Sequence, residues 1–340
     1  MIDLLVAGGG PVGLGTAVLA AQTGMRVVVA EPRPGPIDKA CGEGLMPGAV
    51  AALRDLGVAL EGRPFAGIRY LGSGRDVEGR FRAGRGLGVR RTVLHAALAE
   101  RAARAGVQTV ARRVDDVRQG RDFVDAAGVR ARYLVAADGL HSALRRRLGL
   151  TAPVSGVPRY GLRRHFRVGP WSEFVEVHWG PAAEAYVTPV ADDLVGVAVL
   201  FTGRGDFDSW LAQFPALATR LAGAPSASPT LGAGPLRQRA RRRVAGRVLL
   251  VGDAAGYVDA LTGEGVSVGL RGAHALVRCL REDRPEDYDR AWRRVSRRYR
   301  LLTEALLWSG ARPWLRPRIV PVAARMPQVF TASVNALAGR

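Results

Sequence analysis

A chain of 340 residues with 48% apolar content is long enough for about two domains and is not disordered. Its formal charge of +20 comes from arginine spread along the whole chain, with Lys39 the only lysine. No helix-turn-helix, zinc or aromatic-interleaved module accompanies that charge, which argues against a nucleic-acid partner and a metal site. Two cysteines, Cys41 and Cys279, cannot build a disulfide framework, and the uncharged stretch 4–25 has glycines and a proline but no basic leader. The expectation is a cytoplasmic protein without a membrane span.

The first predicted strand, 4–7, runs into Gly8, Gly10, Val12 and Gly13, a G-x-G-x-x-G turn that opens a helix. Glu31 closes the next strand, 26–30. In that context Gly8 permits the tight turn, Gly10 lets the backbone approach a pyrophosphate, and Gly13 lets helix and strand pack closely. Glu31 would accept from a free ribose hydroxyl, which favours FAD or NAD over NADP at this position. Prolines 32, 34 and 36 mark a loop that leads through Cys41, Gly42 and Glu43 to a helix over 48–56. A hairpin over 68–82, a helix over 92–105 and a parallel strand over 107–110 follow.

Residues 112–132 read as a β excursion, 133–136 as an apolar strand and 143–148 as a short helix. The pattern then changes to antiparallel strands at 160–168, 174–179, 184–190 and 194–201. A helix over 206–221, a return strand over 247–251 and helices over 265–280, 286–309 and near the C-terminus complete the chain. The implied α/β architecture is a Rossmann-like FAD-binding domain (1–67, 89–155 and 236–284), with an inserted antiparallel β-sheet substrate domain (hairpin 68–88 and 156–235) and a C-terminal helical segment (285–340).

Three further motifs occur in order: Ala137-Asp138-Gly139-x-x-Ser142 with Arg145, Gly252-Asp253-Ala254-Ala255, and Thr262-Gly263-Glu264-Gly265-Val266. Together with the first fingerprint they resemble the FAD-binding set of para-hydroxybenzoate hydroxylase-like monooxygenases and geranylgeranyl reductases. That resemblance implies that Asp253 receives ribityl hydroxyls, that Gly265 and Val266 open a helix beside the flavin pyrimidine, and that Arg91 reaches the phosphates. It also implies an adenine contact from the Val114 backbone. Asp138 and Arg91 have plainer alternatives, as a cap for helix 143–148 and a solvated helix start.

Cys41-Gly42-Glu43-Gly44-Leu45 resembles the flavin-side segment of geranylgeranyl and menaquinone reductases, where Cys41 or Glu43 would govern proton delivery. Ala260 stands where hydroxylases usually carry proline. The longer string 38–47, with 175–179 and 184–189, is similar to a narrower group, the hydroxylases that accompany type III polyketide synthases. This closer likeness implies secondary metabolism and an NAD(P)H- and O2-dependent monooxygenase that hydroxylates a hydrophobic phenol through a flavin C4a-hydroperoxide. The alternatives are reduction of isoprenoid double bonds and a non-catalytic flavin or lipid carrier. His165 and His178 are the candidate titrating groups, with Arg164 and Tyr186 as orienting residues, although strand alternation sets Arg163 and His165 opposite Arg164. Each histidine, like Cys41, has an ordinary structural role as its alternative. The C-terminal stretch 308–337 reads as packing against the sheet domain, as a lid, or as a peripheral membrane contact.

Overall fold

The computed structural model describes residues 1–339. A mixed α/β fold results, as the motif order implies. Its first sheet has the path Val244–Ala245, Val248–Leu250, Val129–Ala136, Ile2–Ala7, Val27–Ala30, Gln108–Val110. Apart from the edge strand Val244–Ala245, neighbours along this path pair in parallel. Leu4, Leu5, Val6, Val27, Val28 and Val29 are all buried, because helices cover the sheet and an unbroken apolar run satisfies both faces. The helix Pro11–Gln22 packs on the long helix Gly265–Arg281, and both lie against this sheet's core.

The second sheet has seven strands in the order Leu231–Ala233, Arg159–Arg167, Leu194–Thr202, Ala183–Ala191, Val175–Trp179, Gly67–Gly72, Arg75–Arg80. Only Val175–Trp179 and Gly67–Gly72 run parallel; the rest are antiparallel. A small third sheet, Gly44–Leu45, Gly86–Gly88 and Arg63–Phe65, bridges the two and was not foreseen from the sequence.

The helix expected over 206–221 is two helices, Phe207–Leu211 and Pro215–Leu221. Pro215 has no N–H for the preceding turn, and its ring drives Phe214 out of the helical region to φ −121°, ψ 72°. At the C-terminus, Ile319–Arg325 and Pro327–Ala338 pack on the hairpin strands, with the Phe330 ring 4.8 Å from that of Tyr70. The same segment leaves Trp308, Trp314, Met326 and Val329 at least half exposed. Among the described residues, no helix is long and apolar enough to cross a membrane, and no cluster of His, Cys, Asp or Glu could hold a metal ion.

Buried Arg145 joins two distant turns. Its guanidinium donates to the carbonyls of Leu140 (2.9 Å), Asp253 (3.3 Å) and Ala254 (3.0 Å) and to Gln238 Oε1 (2.7 Å). Arg145→Leu leaves these acceptors unpaired in a dry interior, so it should cost at least about 3 kcal/mol of stability. Urea unfolding of the two proteins measures that difference.

Candidate active site

One cavity of about 770 Å³ runs along the carboxyl ends of the parallel strands and into the second sheet. That volume falls within the range of natural ligand sites. Every residue to which the sequence assigned a cofactor contact lines it: Gly8, Gly10, Val12, Gly13, Glu31, Gly42, Arg91, Val114, Asp138, Asp253, Gly265 and Val266.

At the nucleotide corner, Gly8 has φ +112°, and a Cβ on Gly13 would lie 2.0 Å from the Gly8 carbonyl oxygen. Only glycine lets the helix start so close to the strand, and that helix begins with Pro11 and no side-chain cap, leaving its first amides free. Glu31 accepts from Gly9 N at 2.9 Å and from the Arg33 side chain at 2.8 and 3.0 Å. Burial raises the Glu31 pKa, but the hydrogen bonds from Arg33 and Gly9 outweigh it and hold the carboxyl below its ordinary value. The Arg33 backbone N–H, at 3.1 Å, fills the last lone-pair site. A ribose hydroxyl would therefore take the place of half-exposed Arg33.

Several buried polar atoms here lack partners among the described residues. Arg91 Nε is one, and Asp138 Oδ1 is another. Asp138 does serve the short helix, since its Oδ2 accepts from Leu144 N at 3.1 Å, yet its second oxygen remains free. The cap and the ligand are thus compatible roles. Asp253 follows a buried strand in the turn Gly252–Ala255, and its carboxylate makes no hydrogen bond to the described residues. Burial pushes its pKa up, against the charges of Lys39, Arg91 and Arg145. Lys39, whose own pKa burial lowers and Asp253 raises, lines the same cavity. Its site role escaped the sequence reading, although a single lysine in an arginine-rich chain was the available signal.

The loop that carries Cys41 and Glu43 is pinned from three sides. Thr188 Oγ1 donates to the Gly42 carbonyl at 2.7 Å, and Glu43, at φ +57°, accepts from Arg91 N at 2.8 Å. Glu43 Oε2 then meets His165 Nε2 at 2.5 Å, with both side chains fully buried. Arg163 Nη1 lies 3.0 Å from His165 Nδ1 and can only donate, so Nδ1 accepts and the ring proton sits on Nε2, facing Glu43. Ser228 Oγ is 2.8 Å from the same Nδ1, on a partly exposed loop. The Ser228 hydroxyl donates to the Pro229 carbonyl at 3.1 Å, so the inward donation is the one from His165 Nε2 to the Glu43 carboxylate on the cavity wall.

Cys41 is half-buried on that wall, accepts from Glu43 N at 3.4 Å, and has its thiol pKa pushed up by burial. His178 is not brought to the cavity. It lies on the opposite face of the sheet, against Phe214, with Nε2 3.2 Å from Glu176. Arg164 shares that far face and pairs with Asp208 at 2.7 Å. Alternation along the strands sends both away, since each flanks a residue that faces inward.

Beyond the loop the cavity becomes apolar, lined by Phe65, Ile68, Val177, Leu200, Val334 and Leu337. The last two come from the C-terminal helix and were not anticipated as site residues. Tyr186 stands where this chamber meets the loop 259–264 and donates its hydroxyl proton to the Leu261 carbonyl at 3.1 Å.

A glycine-tight nucleotide corner, orphaned buried polar atoms and an elongated cavity leading to an apolar chamber fit FAD, and they define a flavin-dependent oxidoreductase. Residues 1–182 match the family described as FAD binding domain. The chain belongs to that family. It is 33% identical to the menaquinone reductase of Mycolicibacterium smegmatis over 85% of this chain and 79% of that protein. It is 29% identical to a digeranylgeranylglycerophospholipid reductase of Methanothermobacter thermautotrophicus over 80% and 75%. Among solved structures, a flavin-dependent brominase superposes with TM-score 0.84 at 20% identity, covering 99% of this chain and 93% of that one. The p-nitrophenol 4-monooxygenase of Pseudomonas putida DLL-E4 does so with TM-score 0.79 at 20% identity, over 99% and 95%. These likenesses to solved structures concern the fold.

Asp253→Ala should remove charge-assisted hydrogen bonds worth about 1.5–3 kcal/mol and weaken FAD retention by about ten- to a hundredfold. Flavin absorbance after gel filtration checks this. A second expectation concerns Glu264, buried just before the helix Gly265–Arg281. Burial pushes its pKa up to about 7 from an ordinary 4.5, against the charges of Arg271 and Arg298. Because the folded value is raised, the protein keeps this contribution fully below pH 4.5 and loses it as pH rises through 7. The loss is about 3 kcal/mol. Glu264→Gln should abolish that slope in urea unfolding at pH 4.5, 6 and 8.

Proposed function

We propose that this flavoprotein is an NAD(P)H- and O2-dependent monooxygenase that hydroxylates a hydrophobic phenol of polyketide type. Bound FAD supplies the electron transfer from NAD(P)H to oxygen. The chain's own residues bind the substrate, exclude water and move one proton. Gly8, Gly10, Gly13, Arg91, Asp138 and Asp253 are the groups that would hold the cofactor.

The observation that carries the hydroxylase reading is the state of Tyr186. Its pKa is raised well above the ordinary value by burial, so it stays a phenol, and its proton is committed to the Leu261 carbonyl. Its oxygen is left as an acceptor beside the loop that follows the Gly-Asp motif. An acceptor there suits a substrate that donates a hydroxyl, and it draws the ring rather than the tail of an alkylated phenol toward the flavin. The apolar chamber then takes the tail.

Hydroxylation consumes one oxygen molecule, one NAD(P)H and one proton, and returns the hydroxylated ring, NAD(P)+ and water. His165 and Glu43 are the groups to which we assign that proton, because His165 Nε2 meets Glu43 Oε2 at 2.5 Å on the cavity wall.

A second reading, saturation of an isoprenoid double bond, is favoured by the sequence relatives and by Cys41, whose burial keeps the thiol protonated and able to donate. It needs the same proton and the opposite substrate orientation, with the tail at the flavin.

Turnover separates the two. NAD(P)H oxidation measured with and without oxygen, against alkylated phenols and polyprenyl quinones, should show phenol-stimulated oxygen uptake and a product one oxygen heavier. Cys41→Ser should keep that rate within about tenfold, a barrier change near 1.4 kcal/mol. Tyr186→Phe should lower kcat/KM for the phenol about tenfold while leaving FAD in place. Anaerobic saturation of a double bond, lost in Cys41→Ser, would replace the first reading with the second.

A further inference from the structure

A second cavity, of about 280 Å³, lies behind the loop that follows the Gly-Asp motif, and Tyr257 lines both this cavity and the first. One wall is the segment 237–243. Arg237, Arg239, Arg241 and Arg243 line the cavity, together with Gln238 and Ala240. The facing wall is the helix Tyr288–Gly310, which contributes Arg293, Ser296 and Arg300 at helical spacing i, i+3, i+7.

Six arginines thus meet two carboxylates. Asp289 pairs with Arg243 at 3.3 Å and Arg293 at 2.7 Å, and Glu304 pairs with Arg237. Arg239 and Arg300 have no acidic partner among the described residues, and Arg241 donates from Nε to the Thr151 carbonyl at 3.1 Å. Trp292 holds the charges together, with the guanidinium carbons of Arg243 and Arg300 3.8 and 5.8 Å from its ring centre. Burial lowers the pKa of Arg243, and the nearby Arg300 and Arg293 charges lower it further, while Asp289 opposes them. Cations gathered this closely repel one another, and a bound anion relieves that repulsion.

An independent observation points to a ligand. Ser296 is 1% exposed, and its hydroxyl has no hydrogen-bond partner among the described residues. A buried hydroxyl normally has a partner, and here it lines an arginine-walled cavity. Planar guanidinium groups with a neighbouring hydroxyl make a donor set for phosphate oxygens.

We propose that this cavity is a phosphate-binding site, and that the phosphate it takes is carried by NADPH. The choice of carrier rests on the reading of the protein as an NAD(P)H-dependent enzyme. The sequence has one dinucleotide fingerprint, which the FAD site uses, so the electron donor must be held by other means. Because the site sits one residue, Tyr257, from the flavin cavity, a nucleotide anchored here by its phosphates is beside the place where its electrons are needed.

Isothermal titration of the FAD-loaded protein with inorganic pyrophosphate, 2′,5′-ADP and 5′-AMP tests the site without any turnover. Pyrophosphate and 2′,5′-ADP should bind at least about tenfold more tightly than 5′-AMP. Arg300→Gln and Ser296→Ala should each weaken them about tenfold, with FAD content and Tm unchanged. No binding of either probe, or binding that both variants leave untouched, overturns the site. In steady-state assays Arg300→Gln should raise KM for NADPH about tenfold and change KM for NADH by less than about twofold. Variant-sensitive pyrophosphate binding with an unmoved NADPH KM would uphold the phosphate site and overturn NADPH as its source. Calorimetry is indifferent to the reaction catalysed, so loss of the hydroxylase reading would leave this result standing.

Discussion

The guanidinium of Arg145 is the contact on which the rest of the molecule depends. It binds the turn after one parallel strand to the turn after another and reaches Gln238, whose backbone pairs with Tyr257 in both directions. The turn with Asp138, the turn with Asp253 and the wall between the two cavities are therefore fixed relative to one point. A buried arginine makes sense here because its five donors form a rigid fork that can satisfy several carbonyls at once. A lysine would present one point charge and leave acceptors open.

Around this point the fold gathers residues that are far apart in the chain, and the way it does so explains what the sequence revealed. Gly8, Gly10, Gly13, Asp138 and Asp253 were legible because each follows the end of a buried parallel strand, and parallel strands present their carboxyl ends on one edge. Strand alternation also correctly set Arg163 and His165 on one face and Arg164 on the other. It could not say which face looks at the cavity. His178 and Arg164 fell on the far side, against the short helices, and only the packing of Phe207 and Phe214 shows it.

Other parts were illegible for a different physical reason. The contact of Glu43 with His165 spans 122 positions and joins a loop to a strand of another sheet. No periodicity encodes it. Glu43 has a left-handed backbone that is uncommon outside glycine, and the flanking glycines hid that conformation in the sequence. Val334 and Leu337 read as part of an undifferentiated apolar tail, because the helix that aims them into the chamber is positioned by Phe330 on Tyr70 and by the hairpin beneath.

The net charge is the feature whose meaning changes most once the fold is known. Along the sequence it reads as a uniform preference for arginine, without a partner to explain it. In the structure the arginines divide by what they touch. Arg145 and Arg316 are spent on carbonyls, Arg159 joins Glu184 to Asp259, and Arg163 fixes the histidine ring that faces Glu43. Many others lie on the surface against single carboxylates, where an ion pair contributes little. Arg239 and Arg300 belong to neither group, because they line one cavity with fewer acids than bases. A residue bias can supply arginine everywhere, but it does not by itself set Arg293 and Arg300 on one face of a helix opposite Arg237, Arg239 and Arg243. The spacing of glycines at the nucleotide corner is a constraint of the same kind, set by how closely helix and strand must approach.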